Sequence, residues 1–425
     1  MKKLVYDNEY PIGSVPGDAL SVSPELAPRG SHAIGVRTVE LKGMQSVDIR
    51  AALAGKGIVS APRAVSAEIW YPADVPEDAR QISFYPDHMG MKNTGDLEEF
   101  HFLGRAVRNA EPDTEGGPYP VVILSHGYPG SRYIMSNLAE NLAGKGYVTL
   151  AVGHTDTMYT DWDEEISMFT AMINRTADQR FAVDSVFSLN EEGFLKGLLD
   201  TDAIGMIGYS FGGYGLLRTL GVHLNLDTAR RAGPLESVLL EPEWQGEKRV
   251  KAAVLFAPFG ADLFETMSFG NITVPTLWIQ GENDSVVPYA PVKDMFRKST
   301  RSDRYFLTYE LHNHKACPNP APLAAESRSY EDGARRWNDT VWDQRYVNGI
   351  NAHFLTAFFG MNLKGDASLK RYFNMKQPMG KYCVYHMENG IPAPDHTAWP
   401  GFVQNGELGL EMVHCVPSQE PYASL

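Results

Sequence analysis

The sequence predicts an α/β architecture, a mostly parallel central sheet with helices on both faces, on three observations. Continuous apolar runs recur from residue 118 onward: YPVVILSHG, YVTLAVGH, AIGMIGYS, KAAVLFAPFG and VPTLWIQGENDS. Amphipathic stretches separate them, and each run ends in glycine or polar residues. Strands that read as unbroken apolar segments are buried on both faces, which a parallel sheet covered by right-handed helical crossovers provides.

Taken in order, residues 1–34 are rich in Pro, Gly and Ser and read as an irregular arm. HAIGVRTVEL and AVSAEIWYPA are short, β-branched and aromatic, so two strands precede the main pattern. Residues 74–117 read as a surface excursion around a short helix, LEEFHFLGRAVRNA. The β-α-β rhythm then begins, with Ile134, Leu138 and Leu142 on one helical face between the first two apolar runs. Residues 154–200 form a long insertion in which Val183, Val186 and Phe187 fall at helical spacing after the acidic TDWDEE, and a lid or cap is expected there. RYFLTYELHNH supplies a last strand. RYVNGINAHFLTAFFG aligns Ile350, Phe354 and Phe358 in a final helix, whose end is expected near Gly360 and LKGD. The α/β domain is thus expected over 35–364, with 365–425 as a C-terminal extension packed on it.

The bulk numbers narrow the function. Of 425 residues, 43% are hydrophobic and 21% charged, the balance of an ordinary globular protein. Lys plus Arg total 38 against 52 Asp plus Glu, a net charge of −14 with no basic block, so nucleic acid and anionic lipid are not expected partners. The N-terminal MKKLVYDNEYPIGSVPG has no apolar stretch behind its lysines and no later run is long enough to span a bilayer, so a cytoplasmic location is expected. Cys317, Cys383 and Cys415 are widely spaced, which indicates reduced structural thiols and neither a disulfide framework nor a zinc site.

The chemistry gathers around GYSFGG. Gly208, Ser210 and Gly212 spell G-x-S-x-G between a strand and a helix, the context in which a serine is held on a strained turn with its hydroxyl above the sheet. Serine is a poor nucleophile at neutral pH and needs an imidazole base with a carboxylate to orient it. Asp284, after the strand TLWIQG, is placed for the carboxylate, with Glu282 and Asp262 as rivals. His312 and His314 follow the last strand, and His314 lies further along a loop that can reach back to Ser210. An oxyanion needs two donors: the N–H of Phe211 after the nucleophile, and that of Tyr128 in the SHGYPG loop, where Gly127 permits a tight turn. Ser125, His126, His154 and His353 read as structural.

Together LSHGYPGSR, LAENLAGKGYVTLAVGH, GMIGYSFGGYG, VPTLWIQGENDSVVP and HNHKACPNP resemble the α/β-hydrolase superfamily, covering residues 118–320. Within it they are similar to the dienelactone-hydrolase-like group that includes platelet-activating-factor acetylhydrolases and, more distantly, cutinase-like polyester hydrolases. The resemblance implies the α/β-hydrolase fold, Ser210, Asp284 and His314 as the triad, and Tyr128 and Phe211 at the oxyanion positions. Small dienelactone hydrolases carry cysteine in the elbow where this chain has serine, so their lactone substrate is not implied. The 154–200 insertion and the C-terminal extension lack counterparts in minimal members.

The expected activity is therefore a serine esterase that needs no cofactor or metal. Aromatic residues around the site, with Tyr128, Tyr159 and Trp162 as candidate substrate contacts, suit an apolar or aromatic small-molecule ester. An amidase, peptidase or lactonase using the same three residues is the alternative.

Overall fold

Strands whose residues are buried on both faces are what the apolar runs dictate, and they dominate the computed structural model, which describes residues 9–11, 13–92, 95, 97–326, 329 and 333–418. Eleven strands join in one sheet among the described residues, two of them two-residue edge pieces. The other nine are β1 (Ile34–Leu41), β2 (Val65–Asp74), β3 (Tyr119–Ser125), β4 (Val148–Gly153), β5 (Leu199–Tyr209), β6 (Val250–Phe256), β7 (Thr276–Gly281), β8 (Arg304–Tyr309) and β9 (Leu410–Cys415). Their spatial order is β9-β8-β7-β6-β5-β3-β4-β2-β1. From β8 to β4 every neighbour is parallel, while β2 runs antiparallel to both β4 and β1.

Alternate side chains of each strand feed two cores. Val121 and Ile123 of β3 point to one and Val122 and Leu124 to the other. The first face is covered by α2 (Ser167–Glu191) and α3 (Phe211–Thr219), the second by α1 (Ser136–Ala143) and α5 (Gln344–Leu363). A further helix, α4 (Tyr289–Lys298), crosses between β7 and β8. The mostly parallel sheet with helices on both faces thus agrees with the expected fold class.

Four details differ from the sequence reading. Residues 97–110 form no helix; Glu98–Gly104 pairs antiparallel with Ser83–Met89, because burying Phe100 and Phe102 while exposing His101 is a two-residue period. Within the 154–200 insertion, α2 is a crossover helix packed on α3 and the sheet, and only the segment before it reaches over the site. Gly360 lies inside α5, where a Cβ would stand 2.2 Å from Leu369; the helix ends at Leu363, followed by Gly365 at φ 69°. The C-terminal extension also enters the sheet, as β9 pairs antiparallel with β8 from Arg304 opposite Cys415 to Tyr309 opposite Leu410.

The described part of the N-terminal arm carries no helix or strand before Ile34, where β1 begins, and is tied down by ion pairs. Arg29 bonds Glu140 of α1 at 2.6 Å, and buried Asp18 receives Arg105 at 2.7 Å. No helix among the described residues is long and apolar enough to cross a membrane.

Candidate active site

Ser210 sits between β5 and α3 at φ 53° and ψ −115°, a strained left-handed backbone for a residue with a side chain. The turn is sharp because its glycines admit backbone where a side chain would stand. A Cβ on Gly208 would lie 2.5 Å from the Gly212 carbonyl oxygen, and one on Gly212 only 2.0 Å from that of Ser125. Gly213 meets Pro258 in the same way, so α3 starts hard against the end of β6. Two backbone bonds staple the elbow to that strand end: Ser210 N–H donates to the Phe256 carbonyl at 2.9 Å, and Phe259 N–H to the Ser210 carbonyl at 3.0 Å.

Asp284 stands just past β7 and His314 past β8, and the two meet: Nδ1 of His314 lies 2.7 Å from Oδ2 of Asp284. Oδ1 of Asp284 accepts the backbone N–H groups of Val286 and Val287 at 2.8 Å each, and Gln280 donates to Oδ2 at 3.0 Å. All four partners are donors, so the carboxylate is fixed and His314 is left with Nε2 free of that pair. The rivals are elsewhere. Glu282 is exposed and accepts from Leu311 N–H, and Asp262 is exposed. His312 is buried against Tyr309 and Trp342, with Nδ1 2.9 Å from the Asn313 carbonyl. Burial holds its pKa below the ordinary imidazole value.

Tyr209 joins the elbow to this pair. Its ring faces His314 at 5.2 Å between centroids and its hydroxyl donates to the His314 carbonyl at 3.3 Å. Burial pushes the Tyr209 phenol well up, so that proton stays in place. Among the described residues no hydrogen bond links the Ser210 hydroxyl to His314; the serine meets the pair through its neighbour. Loose nucleophile–base contacts are common before substrate binds.

The loop after β3 closes the other side. A Cβ on Gly127 would fall 3.4 Å from that of Ser210, so the chain passes directly beside the serine before reaching Tyr128. Phe211 opens α3, where an N–H has no acceptor within the helix. Its ring stacks on Phe259 at 4.6 Å and touches Tyr128 at 5.5 Å. Trp162, in the segment before α2, donates from Nε1 to the Tyr128 hydroxyl at 2.9 Å. Tyr159 of the same segment is buried beneath Arg336, whose guanidinium carbon sits 4.4 Å from the ring centroid. It lines a cavity of about 240 Å³ together with Asp87, Ser131, Tyr133 and Met158.

Beneath the loop lies a second Ser-His-Asp set that sequence reasoning missed. The Ser125 hydroxyl is 2.8 Å from Nε2 of His154, and Nδ1 of His154 is 2.9 Å from Asp178. Burial and nearby Arg175 push His154 down to about 3, so the ring is neutral and donates from Nδ1 to Asp178. Burial works against the Asp178 charge, yet Arg63, bonded at 2.7 and 3.0 Å, and His154 hold its carboxyl below the usual range. Gln179 donates to both the Ser125 hydroxyl and the Gly212 carbonyl at 2.9 Å. Ser125 is 0% exposed, so no ester reaches it and the network is a brace, each bond worth about 1 kcal/mol net. Arg175, Asp178 and Gln179 sit at i, i+3 and i+4 on α2, and that spacing is the signal from which this polar buried face was readable.

Among the described residues no His, Cys, Asp and Glu group is arranged to hold a metal ion. His353 is buried in α5 and accepts the Leu26 N–H, and Cys317, Cys383 and Cys415 form no disulfide.

The chain is similar to known proteins in sequence and in fold. The sequence model of the family "Platelet-activating factor acetylhydrolase, isoform II" matches residues 100–162, which include the Tyr128 loop and Trp162 but not the elbow. Cutinase est1 of Thermobifida alba is 24% identical over 199 residues, 47% of this chain and 54% of the cutinase. The match thus spans about half the length of that curated relative. A ferulic acid esterase from Streptomyces cinnamoneus superposes with a TM-score of 0.53 at 20% identity, covering 81% of this chain and 94% of that one.

Proposed function

We propose that this chain, which resembles the α/β-hydrolase superfamily, is a serine carboxylic-ester hydrolase working through an acyl-enzyme on Ser210, His314 and Asp284. One observation carries the reading: the Asp284–His314 pair at 2.7 Å packs on Tyr209, the residue just before an elbow serine in a strained backbone. Ser210 Oγ attacks the ester carbonyl while Nε2 of His314 takes its proton, and Asp284 keeps Nδ1 protonated and the ring oriented. The carbonyl oxygen becomes an oxyanion, which the N–H groups of Tyr128 and Phe211 receive. His314 returns the proton to the leaving alcohol, and water then releases the acid by the same steps. No step requires a cofactor or metal.

The substrate class in this reading is a small ester with an apolar or aromatic part. Phe211, Phe259, Tyr128 and Trp162 supply an aromatic wall beside the serine, and the relatives named above include a cutinase and a ferulic acid esterase. Tyr159 and Trp162 belong to the segment that covers this wall. A cytoplasmic location accompanies the reading, supported by Cys317, Cys383 and Cys415 forming no disulfide; recovery of the protein outside the cytoplasm on cell fractionation would overturn it.

Matched p-nitrophenyl ester and anilide substrates test the activity. The ester is expected to have the larger kcat/KM by orders of magnitude, and dominant anilide cleavage would assign an amidase instead.

A further inference from the structure

We propose that Arg175 is a positioning residue for the oxyanion hole, its guanidinium clamping the carbonyls of His126 and Gly127 so that the Tyr128 N–H is aimed at the ester oxygen. The inference rests on the esterase reading above and names a part of that site which its sequence motifs do not contain. Arg175 NH1 donates to the His126 carbonyl at 2.6 Å, and NH2 reaches the Gly127 carbonyl at 3.4 Å. NH2 also donates to the Thr157 hydroxyl at 3.1 Å, in the segment that covers the loop. The Gly127 carbonyl and the Tyr128 N–H belong to one planar trans peptide unit and point in opposite directions, so fixing the oxygen fixes the donor.

His126 reinforces the clamp. Its Nε2 accepts the His154 N–H at 3.3 Å, which leaves the proton on Nδ1 to donate to the Gly127 carbonyl at 2.7 Å. Burial first, and Arg175 after it, keep this ring neutral by pushing its pKa well below the ordinary value. The Gly127 carbonyl therefore receives two donors, His126 Nδ1 and Arg175 NH2.

The surroundings are shaped for this arginine. A Cβ on Gly215 of α3 would stand 2.6 Å from Arg175 Cγ, so that glycine makes room for the side chain. Arg175 is 1% exposed, yet among the described residues no carboxylate lies within ion-pair distance of it. A buried cation whose hydrogen bonds all go to neutral oxygens is costly to the fold, and its positive charge favours negative charge developing nearby. Asp178, one turn along α2, is engaged by Arg63 and His154 and leaves Arg175 to the loop.

The test uses Arg175→Lys, Arg175→Met and the milder Thr157→Val, with active enzyme counted by fluorophosphonate titration. A lysine keeps the charge but lacks the planar fork whose two nitrogens reach the two carbonyls. We expect kcat to fall about 10²-fold in both Arg175 variants with KM nearly unchanged, as when one oxyanion donor is lost. Affinity for a trifluoromethyl ketone, which forms the oxyanion, should fall in step, and the preference for an ester over its thionoester should shrink. Thr157→Val should move the same parameters by a smaller factor, about fivefold. The proposal is overturned if folded Arg175→Lys keeps kcat within about twofold of wild type, or loses kcat while the ketone still binds as tightly. If neither Arg175 variant folds, an unchanged ester-to-thionoester ratio in Thr157→Val overturns it. Should the wild type hydrolyse no ester, the esterase reading fails and this inference falls with it; if it does and the variants match it, only the inference fails.

Discussion

Replacing Asp284 by asparagine separates orientation of the base from stability of the fold. The carboxylate accepts four hydrogen bonds, two on each oxygen. Asparagine keeps an acceptor at the Oδ1 position for the Val286 and Val287 N–H groups, so the turn after β7 survives. At the Oδ2 position it places an NH₂ group against two donors, Gln280 Nε2 and His314 Nδ1–H. Gln280 retains its bond to the Val287 carbonyl at 2.9 Å, which limits the stability loss to about 1 kcal/mol. His314 has no such refuge: to face an NH₂ group it must carry its proton on Nε2, the atom that has to accept from Ser210. The wrong tautomer lowers kcat about 10⁴-fold, equivalent to about 5.4 kcal/mol of transition-state stabilisation. Stopped assays on a p-nitrophenyl ester, paired with urea denaturation, read both quantities. A kcat within about tenfold of wild type would refute the reasoning, because it would mean that Asp284 does not set the His314 tautomer.

Two further outcomes follow from the same coordinates. Gly212→Ala should cost about 3 kcal/mol in chemical denaturation, since the new methyl meets the Ser125 carbonyl at 2.0 Å and backbone cannot step aside as a side chain would; a loss below about 1 kcal/mol contradicts the packing described. Acid should destabilise the protein. Burial depresses His126 strongly, and His154 and His353 to about 3, so the unfolded chain binds protons that the folded one refuses, and this stability, full above pH ~6.5, is lost as pH falls below it. Between pH 7.5 and 5.5 His154 and His353 each cost on the order of 1 kcal/mol and His126 acts in the same direction, while Asp87, raised to about 6 by burial, offsets less than one of them, so the urea midpoint should fall; equal midpoints at the two pH values would contradict it.

The elbow was legible in the sequence because its constraint is steric and local. Only glycine fits where a Cβ would meet backbone at 2.0 or 2.5 Å, and such positions announce themselves as G-x-S-x-G. The central strands were legible for a related reason, since burial on both faces leaves no polar position to obscure the run. What escaped the sequence was whatever broke those patterns. The helix at 167–191 buries Arg175, Asp178 and Gln179 on the face that backs the site, so a search for apolar periodicity sees only its later turns, at Val183, Val186 and Phe187. The strand Leu410–Cys415 lies at the sheet edge, where half-exposed Glu411 and Val413 alternate with buried neighbours and weaken the apolar signal. In residues 97–110 Phe100, Leu103 and Val107 fit a helical spacing while Phe100 and Phe102 fit alternation, and pairing with Ser83–Met89, a long-range contact, decided for strand. His312 and His314 share parity along the chain, so only the folded loop separates the one packed on Trp342 from the one that reaches Asp284.

The central claim is that Ser210 is the nucleophile of an ester-cleaving triad. Its most direct measurement is peptide mass spectrometry after reaction with a fluorophosphonate. The account predicts a single phosphonyl adduct on the peptide carrying Ser210, abolished in Ser210→Ala and slowed by orders of magnitude in His314→Ala, with Ser125 unmodified. Labelling that persists in Ser210→Ala, or that maps to another serine, would contradict it.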